Sequence, residues 1–214
     1  MGEDGKVTVL LSGKGSNLKA LIQHQYGYRI DHVISDKANA GGLILARDAK
    51  IPTSVVSREE YPSLSAFKEA VRKTVAETQP GLVALAGFMV IVPPAFVESF
   101  YGRLINIHPS LLPNFPGLHT HDRALQEGAQ EHGCTVHFVD AGMDTGPLIA
   151  QAKVPVLTGD TTDTLAARVL VQEHALYPWV VKNIVQGGIR LEGHSVIYSE
   201  TVRAEAATKN FTIF

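Results

Sequence analysis

Short aliphatic and β-branched runs alternate along this chain with longer stretches whose apolar positions recur every three or four residues. A period of two marks a strand and a period near 3.6 a helix. The alternation therefore predicts repeated βα units, an α/β fold with a mainly parallel twisted sheet of about seven strands flanked by helices. Strands are expected at 7–11, 30–35, 53–56, 82–86, 104–108, 134–139 and 148–154. Helices are expected at 17–25, 42–49, 63–77, 94–100, 121–127 and 164–186. Pro178 falls inside the last of these and is expected to kink or split it, because proline lacks the amide hydrogen and crowds the preceding turn. Gly187 and Gly188 mark a stop, 189–197 alternates well enough for a hairpin or edge strands, and the last residues to Phe214 carry no functional signal. No repeat or linker divides the chain, so one domain over 1–214 is the expectation.

Composition narrows the possibilities. With 45% hydrophobic residues there is ample material for a core, and a formal net charge of -2 with no Lys or Arg run gives no electrostatic case for nucleic acid or a membrane surface. The single cysteine, Cys134, rules out an internal disulfide. Without a signal peptide or long apolar span, a cytoplasmic location is the simplest expectation. Subunit pairing is not legible, and a monomer or weak homodimer is expected.

Four segments carry candidate chemistry. Asn106 and His108 lie two apart on a short strand that Pro109 ends, so both project from one face. An amide donor beside an imidazole suits a reaction in which negative charge develops on a carbonyl oxygen, although two satisfied polar residues at a strand end would look the same. Ser12-Gly13-Lys14-Gly15-Ser16-Asn17 runs from a strand into a helix, where free first-turn amides and the helix dipole favour an anion such as phosphate. Leu18 occupies the place of the third glycine of a dinucleotide fingerprint, and no Walker ending follows, which disfavours NAD and ATP. A plain βα turn is the alternative.

The third segment is the turn-rich loop Asp140-Ala141-Gly142-Met143-Asp144-Thr145-Gly146-Pro147. If it meets His108 beyond the carboxyl ends of parallel strands, Asp144 is its partner and is expected to raise the imidazole pKa. Either aspartate could instead simply form the turn. The fourth, 87–94, offers main-chain groups to a flat heterocycle and apolar walls from Met89, Ile91 and Val92, or is only core.

Together these segments resemble the folate-dependent phosphoribosylglycinamide formyltransferases. The resemblance runs from about Val7 to Gly188 and rests on SGKGSNL (12–18), LAGFM (85–89), NIHPSLLP (106–113), PGLHTH (116–121), HGCTVHFV (132–139), DTGP (144–147) and QEHALYP (172–178). It implies a Rossmann-like formyltransferase fold and transfer of the formyl group of 10-formyltetrahydrofolate, the co-substrate, to the amine of 5-phosphoribosylglycinamide in purine synthesis, without a metal. Asn106, His108 and Asp144 would be catalytic. Gly15, Ser16 and Asn17 would hold the substrate phosphate, and Glu173 its ribose hydroxyls. The folate would lie against the main chain of Met89, Val90, Ile91 and Val92, with Asn106 and Asp140 also contributing. Two positions depart from the family pattern: Val90 stands where arginine is frequent, and the arginine that steadies the folate tail aligns with Leu64, leaving Arg58 as a nearby replacement.

Rival readings remain at this stage. His119, His121, His132 and His137 could suggest a metal hydrolase, but their spacing matches no metal motif. His137 either lines the site or is structural. Hydrolysis of 10-formyltetrahydrofolate is the nearer rival; such hydrolases usually carry an extra amino-terminal domain, whereas about six residues precede the first strand here. A non-enzymatic protein binding a phosphorylated metabolite would explain 12–17 and leave Asn106, His108 and Asp144 without purpose.

Overall fold

The structure, a computed structural model, describes residues 5–214. Its first half consists of β1 (Lys6–Leu11), α1 (Ser16–Gln23), β2 (Arg29–Ser35), α2 (Gly41–Asp48), β3 (Thr53–Val55), α3 (Leu64–Glu77), β4 (Leu82–Leu85), α4 (Pro94–Ser99) and β5 (Leu104–His108). These strands lie in the order β3-β2-β1-β4-β5, every neighbour parallel. The chain continues through α5 (Thr120–Gln126), β6 (Glu131–Phe138), β7 (Leu148–Pro155), α6 (Thr162–Val185), β8 (Ile189–Glu192), β9 (Ser195–Tyr198), α7 (Glu200–Lys209) and β10 (Thr212–Ile213). Beyond β5 the sheet is extended by β6, β7 and β10, all paired antiparallel, while β8 and β9 form a separate hairpin.

The expected seven strands are all present, and the sheet gains an eighth from the tail. Alternation sorts its two faces. Val7, Val9 and Leu11 of β1 and Ile105 and Ile107 of β5 pack on the side of α1, α2 and α6, whereas Leu10 and Leu104 pack on the side of α3 and α4. Asn106 and His108 share the face of Leu104, but lie past the cover that α3 and α4 provide.

Pro178 does not split α6, which runs unbroken from Thr162 to Val185. Its neighbours are pinned on both sides: the Tyr177 hydroxyl donates to the Leu85 carbonyl (2.8 Å), and the Trp179 indole N–H donates to Glu205 (2.8 Å). Tertiary anchoring of this kind offsets a penalty of about 3 kcal/mol for an interior proline. Glu205 belongs to α7, so the tail without a functional signal braces the longest helix.

Candidate active site

Strand order reverses between β1 and β4, because the chain winds outward through β2 and β3 from one and through β5 from the other. Such a switch point leaves a crevice at the carboxyl ends of the strands. Here it opens into a cleft of about 610 Å³ that reaches from Asn17 to Asp144. The loops leaving β1 and β4 are tied across it: Ser12 N–H donates to the Gly87 carbonyl (3.0 Å), and the Met89 N–H donates to Ser12 Oγ (2.9 Å).

At one end of the cleft, Gly15 caps α1 in the left-handed region (φ 80°), and among the described residues no side chain satisfies the helix's first amides. The amides of Ser16, Asn17 and Leu18 precede the first intrahelical bond, so they remain available to an anion. Only glycine fits at position 15, since a Cβ there would meet Gly42 Cα at 2.6 Å. Asn17 Nδ2 donates to Glu173 Oε2 at 2.7 Å, while Asn17 Oδ1 is buried without a hydrogen-bond partner. Glu173 lies one turn before Tyr177 on α6, so the Tyr177–Leu85 bond that anchors the helix also hangs Glu173 over the loop. Burial raises the Glu173 pKa and outweighs the Asn17 hydrogen bond that lowers it.

At the other end, four polar side chains converge. Asp144 Oδ2 lies 3.4 Å from His108 Nδ1, and Asp144 Oδ1 lies 3.7 Å from His137 Nε2. Asn106 Nδ2 is 3.3 Å from the same His137 nitrogen, which follows from the register that sets Asn106 opposite His137 on β6. His108 Nε2 donates to the Phe115 carbonyl (2.9 Å), and the Gly117 N–H donates to Asp144 Oδ2 (2.9 Å). The loop expected to meet His108 at the strand ends takes another route. Because β6 is antiparallel, the loop departs beside Leu104, the amino end of β5, and folds back over the sheet face to bring Asp144 to His108.

The expected rise in the His108 pKa is corrected by the same geometry. Burial lowers it and outweighs the Phe115 carbonyl and Asp144, which both raise it; His137 and Arg123 lower it further. The two ring nitrogens nevertheless face an acceptor each, so the pocket is shaped for imidazolium while burial resists the charge. For Asp144 burial acts upward, but His137, the Gly117 N–H and His108 together bring its pKa below the usual carboxylate range. It is a firm anion between two imidazoles.

The rim is apolar: Met89, Ile91, Leu118 and Met143 are all largely exposed around the cleft mouth. Val90 and Val92 also line it, although the Met89 N–H is already committed to Ser12 and is not free for a ligand. Asp140 lines the cleft too, yet one carboxylate oxygen accepts from the Gly142 N–H (3.0 Å) and Thr145 Oγ1 (2.8 Å), so this aspartate forms the turn. Arg58 donates to the Tyr61 carbonyl in a short 3-10 turn and is not among the lining residues. His132 Nε2 lies 3.1 Å from His121 Nδ1, and among the described residues no group of three or more His, Cys, Asp or Glu is arranged to hold a metal. His137 is the residue that sequence reasoning left open; its alternation with Thr135 on β6 pointed to the right face, but not to Asp144.

The profile described as formyl transferase matches residues 5–181. Over 189 residues the chain is 46% identical to the phosphoribosylglycinamide formyltransferase of Escherichia coli (strain K12), which covers 86% of this chain and 89% of that protein. The chain belongs to the phosphoribosylglycinamide formyltransferase family. Its fold is that family's: glycinamide ribonucleotide transformylase 1 from Symbiobacterium toebii matches with a TM-score of 0.89 at 41% identity, covering 94% of this chain and 96% of that one. The phosphoribosylglycinamide formyltransferase of Coxiella burnetii, solved in complex with CHES, matches with a TM-score of 0.87 at 43% identity, covering 92% and 94%. The segment matched by the family profile ends within α6, so α7 and β10 lie outside it. Among the described residues no helix is long and apolar enough to cross a membrane.

Proposed function

We propose that this protein transfers the formyl group of 10-formyltetrahydrofolate to the amine of 5-phosphoribosylglycinamide, by direct attack through a tetrahedral intermediate. The observation that carries this reading is the meeting of Asn106, His108 and Asp144 in the cleft that Asn17 and Glu173 enter from its other end. A phosphate held by the amides of Gly15, Ser16 and Asn17 fixes one end of the ribonucleotide, and Glu173 accepts from its ribose hydroxyls. The folate heterocycle lies against the main chain from Met89 to Val92, between apolar walls, with Asp140 also lining the site.

As the amine attacks the formyl carbon, charge develops on the formyl oxygen. Asn106 Nδ2 donates to that oxygen, and His108 meets it as imidazolium, with the Phe115 carbonyl on one ring nitrogen and Asp144 near the other. The separation of 3.4 Å from Asp144 is long for a charge-assisted bond, so the Nδ1 proton can be shared with the oxyanion. No covalent enzyme intermediate is required: the tetrahedral adduct collapses by breaking the bond between the formyl carbon and the folate nitrogen, that nitrogen takes up the proton the attacking amine gives up, and tetrahydrofolate leaves. Both reactants are small molecules, and the residues that meet them need no metal.

Hydrolysis would use the same oxyanion site with water in place of the amine, and the free amides of α1 favour a phosphorylated acceptor instead. Release of tetrahydrofolate, followed with and without the ribonucleotide, separates the two. Dependence on the amine is expected, and equal rates without it would overturn the proposal.

A further inference from the structure

The face that carries His108 holds a row of polar side chains deep in the antiparallel half of the sheet. His108 on β5 stands opposite Thr135 on β6, Thr135 opposite Gln151 on β7, and Gln151 opposite Thr212 on β10. Thr135 and Gln151 are buried, and polar groups at such positions need partners. Their partners are one short segment of chain. Thr135 Oγ1 donates to the Ser110 carbonyl (2.6 Å) and accepts from the Leu112 N–H (3.0 Å). Gln151 spends both amide hydrogens, on the Leu112 carbonyl (2.7 Å) and on Thr135 Oγ1 (3.0 Å). Ser110 Oγ then donates to the Asn114 carbonyl (2.6 Å), and the next carbonyl, that of Phe115, is the acceptor for His108 Nε2.

The hydroxyl's one donor and two acceptor positions are all used, as are both hydrogens of the Gln151 amide. Two buried side chains hold this segment at three main-chain atoms, and the segment delivers the acceptor that orients the imidazole. We propose that Thr135 and Gln151 are positioning residues for formyl transfer, acting on His108 through the 110–115 segment. This rests on the formyl-transfer reading above. Neither side chain touches the reacting atoms in this account; each sets the direction of the ring that does.

The test compares Gln151→Leu, Thr135→Val and Thr135→Ser in the full chain. Gln151→Leu and Thr135→Val remove grips on the segment, so kcat is expected to fall about tenfold or more while KM for both substrates stays within about twofold. Thr135→Ser keeps the hydroxyl and is expected to restore most of kcat. The high-pH limb of the kcat profile, set by protonated His108, moves to lower pH when the Phe115 acceptor is loosened. Asp144, His137, Arg123, His121 and His132, the other charged or titratable groups that act on or with His108, are untouched by these substitutions.

An NMR titration of the His108 ring reads the same shift without turnover. If wild type fails to transfer formyl but the His108 titration moves in Thr135→Val, the function proposed above falls and the positioning role stands. Unchanged kcat and an unchanged His108 titration in a folded Thr135→Val overturn the positioning role. So would a loss in Thr135→Ser as large as in Thr135→Val. Should Gln151→Leu fail to fold, the two Thr135 variants decide alone.

Discussion

The two ends of the cleft are built from different materials. Toward α1, the cradle consists of main-chain amides presented by a glycine turn, with Asn17 and Glu173 beside it and no histidine in 12–17. Toward β5, the groups that would meet the formyl oxygen are side chains, two imidazoles and an amide around one carboxylate, steadied by the Phe115 carbonyl and the Gly117 N–H. A phosphate carries fixed charge, and preset dipoles suffice to hold it. A formyl oxygen becomes charged only during reaction, so its partners must be groups whose charge and hydrogen bonds respond. The binding end is therefore vulnerable through its backbone, and the reacting end through its side chains.

The largest expected effect comes from the reacting end. Asn106→Ala removes the donor to the oxyanion and is expected to lower kcat about a hundredfold or more, with the melting temperature nearly unchanged because Asn106 is only half-buried. Comparable loss of KM and stability instead would dissolve the distinction between the ends. Next is Gly15→Ala, in which a Cβ meets backbone at 2.6 Å in a left-handed conformation. The chain must shift, so KM for the ribonucleotide is expected to rise about tenfold or more with kcat retained, measured by steady-state kinetics beside a thermal melt.

Acid should weaken the fold beneath the reacting end. Burial, then His121 and His108, push the pKa of His132 down to about 4, against an ordinary value near 6.5. As pH falls from about 6.5 to 5 the unfolded chain takes up a proton that folded His132 refuses, costing about 2 kcal/mol of stability. Urea midpoints at pH 7 and 5 should show this loss, and His132→Gln should remove His132's share of it, leaving that of His32, His108, His121 and His174, whose pKa values are lowered too. The smallest effect belongs to Lys14, which is exposed in the cradle loop. If main chain does the binding, Lys14→Ala changes KM for the ribonucleotide by about threefold or less; a much larger change would make the cradle a side-chain site after all.

The motifs at 12–17, 106–108 and 144 were legible because each joins residue type to a spacing that an element's geometry turns into a common face or a free helix end. Strand direction was not. Periodicity of two is the same read either way, so nothing in it distinguishes the antiparallel β6 and β7 from further parallel strands or shows that the 140–147 loop leaves at the opposite end of the sheet. Asp144 still reaches His108, by folding back. Pro178 misled for the opposite reason: local chemistry spoke against a helix that Leu85 and Glu205 hold from outside. The tail was silent because β10 is only two residues long and α7 has no strong apolar stripe; its contacts with Trp179, Lys182 and Asn183 exist only in the folded chain. The His108 pKa went the wrong way because sequence names a charged partner but not the burial that opposes it.

The fate of an isotopically labelled formyl carbon in a single turnover separates transfer to the ribonucleotide from release to water. With labelled 10-formyltetrahydrofolate, the ribonucleotide and excess enzyme, label is expected in an amide on the ribonucleotide for wild type, with about a hundredfold slower appearance for Asn106→Ala. Label released as free formate at the same rate whether or not the ribonucleotide is present would contradict transfer.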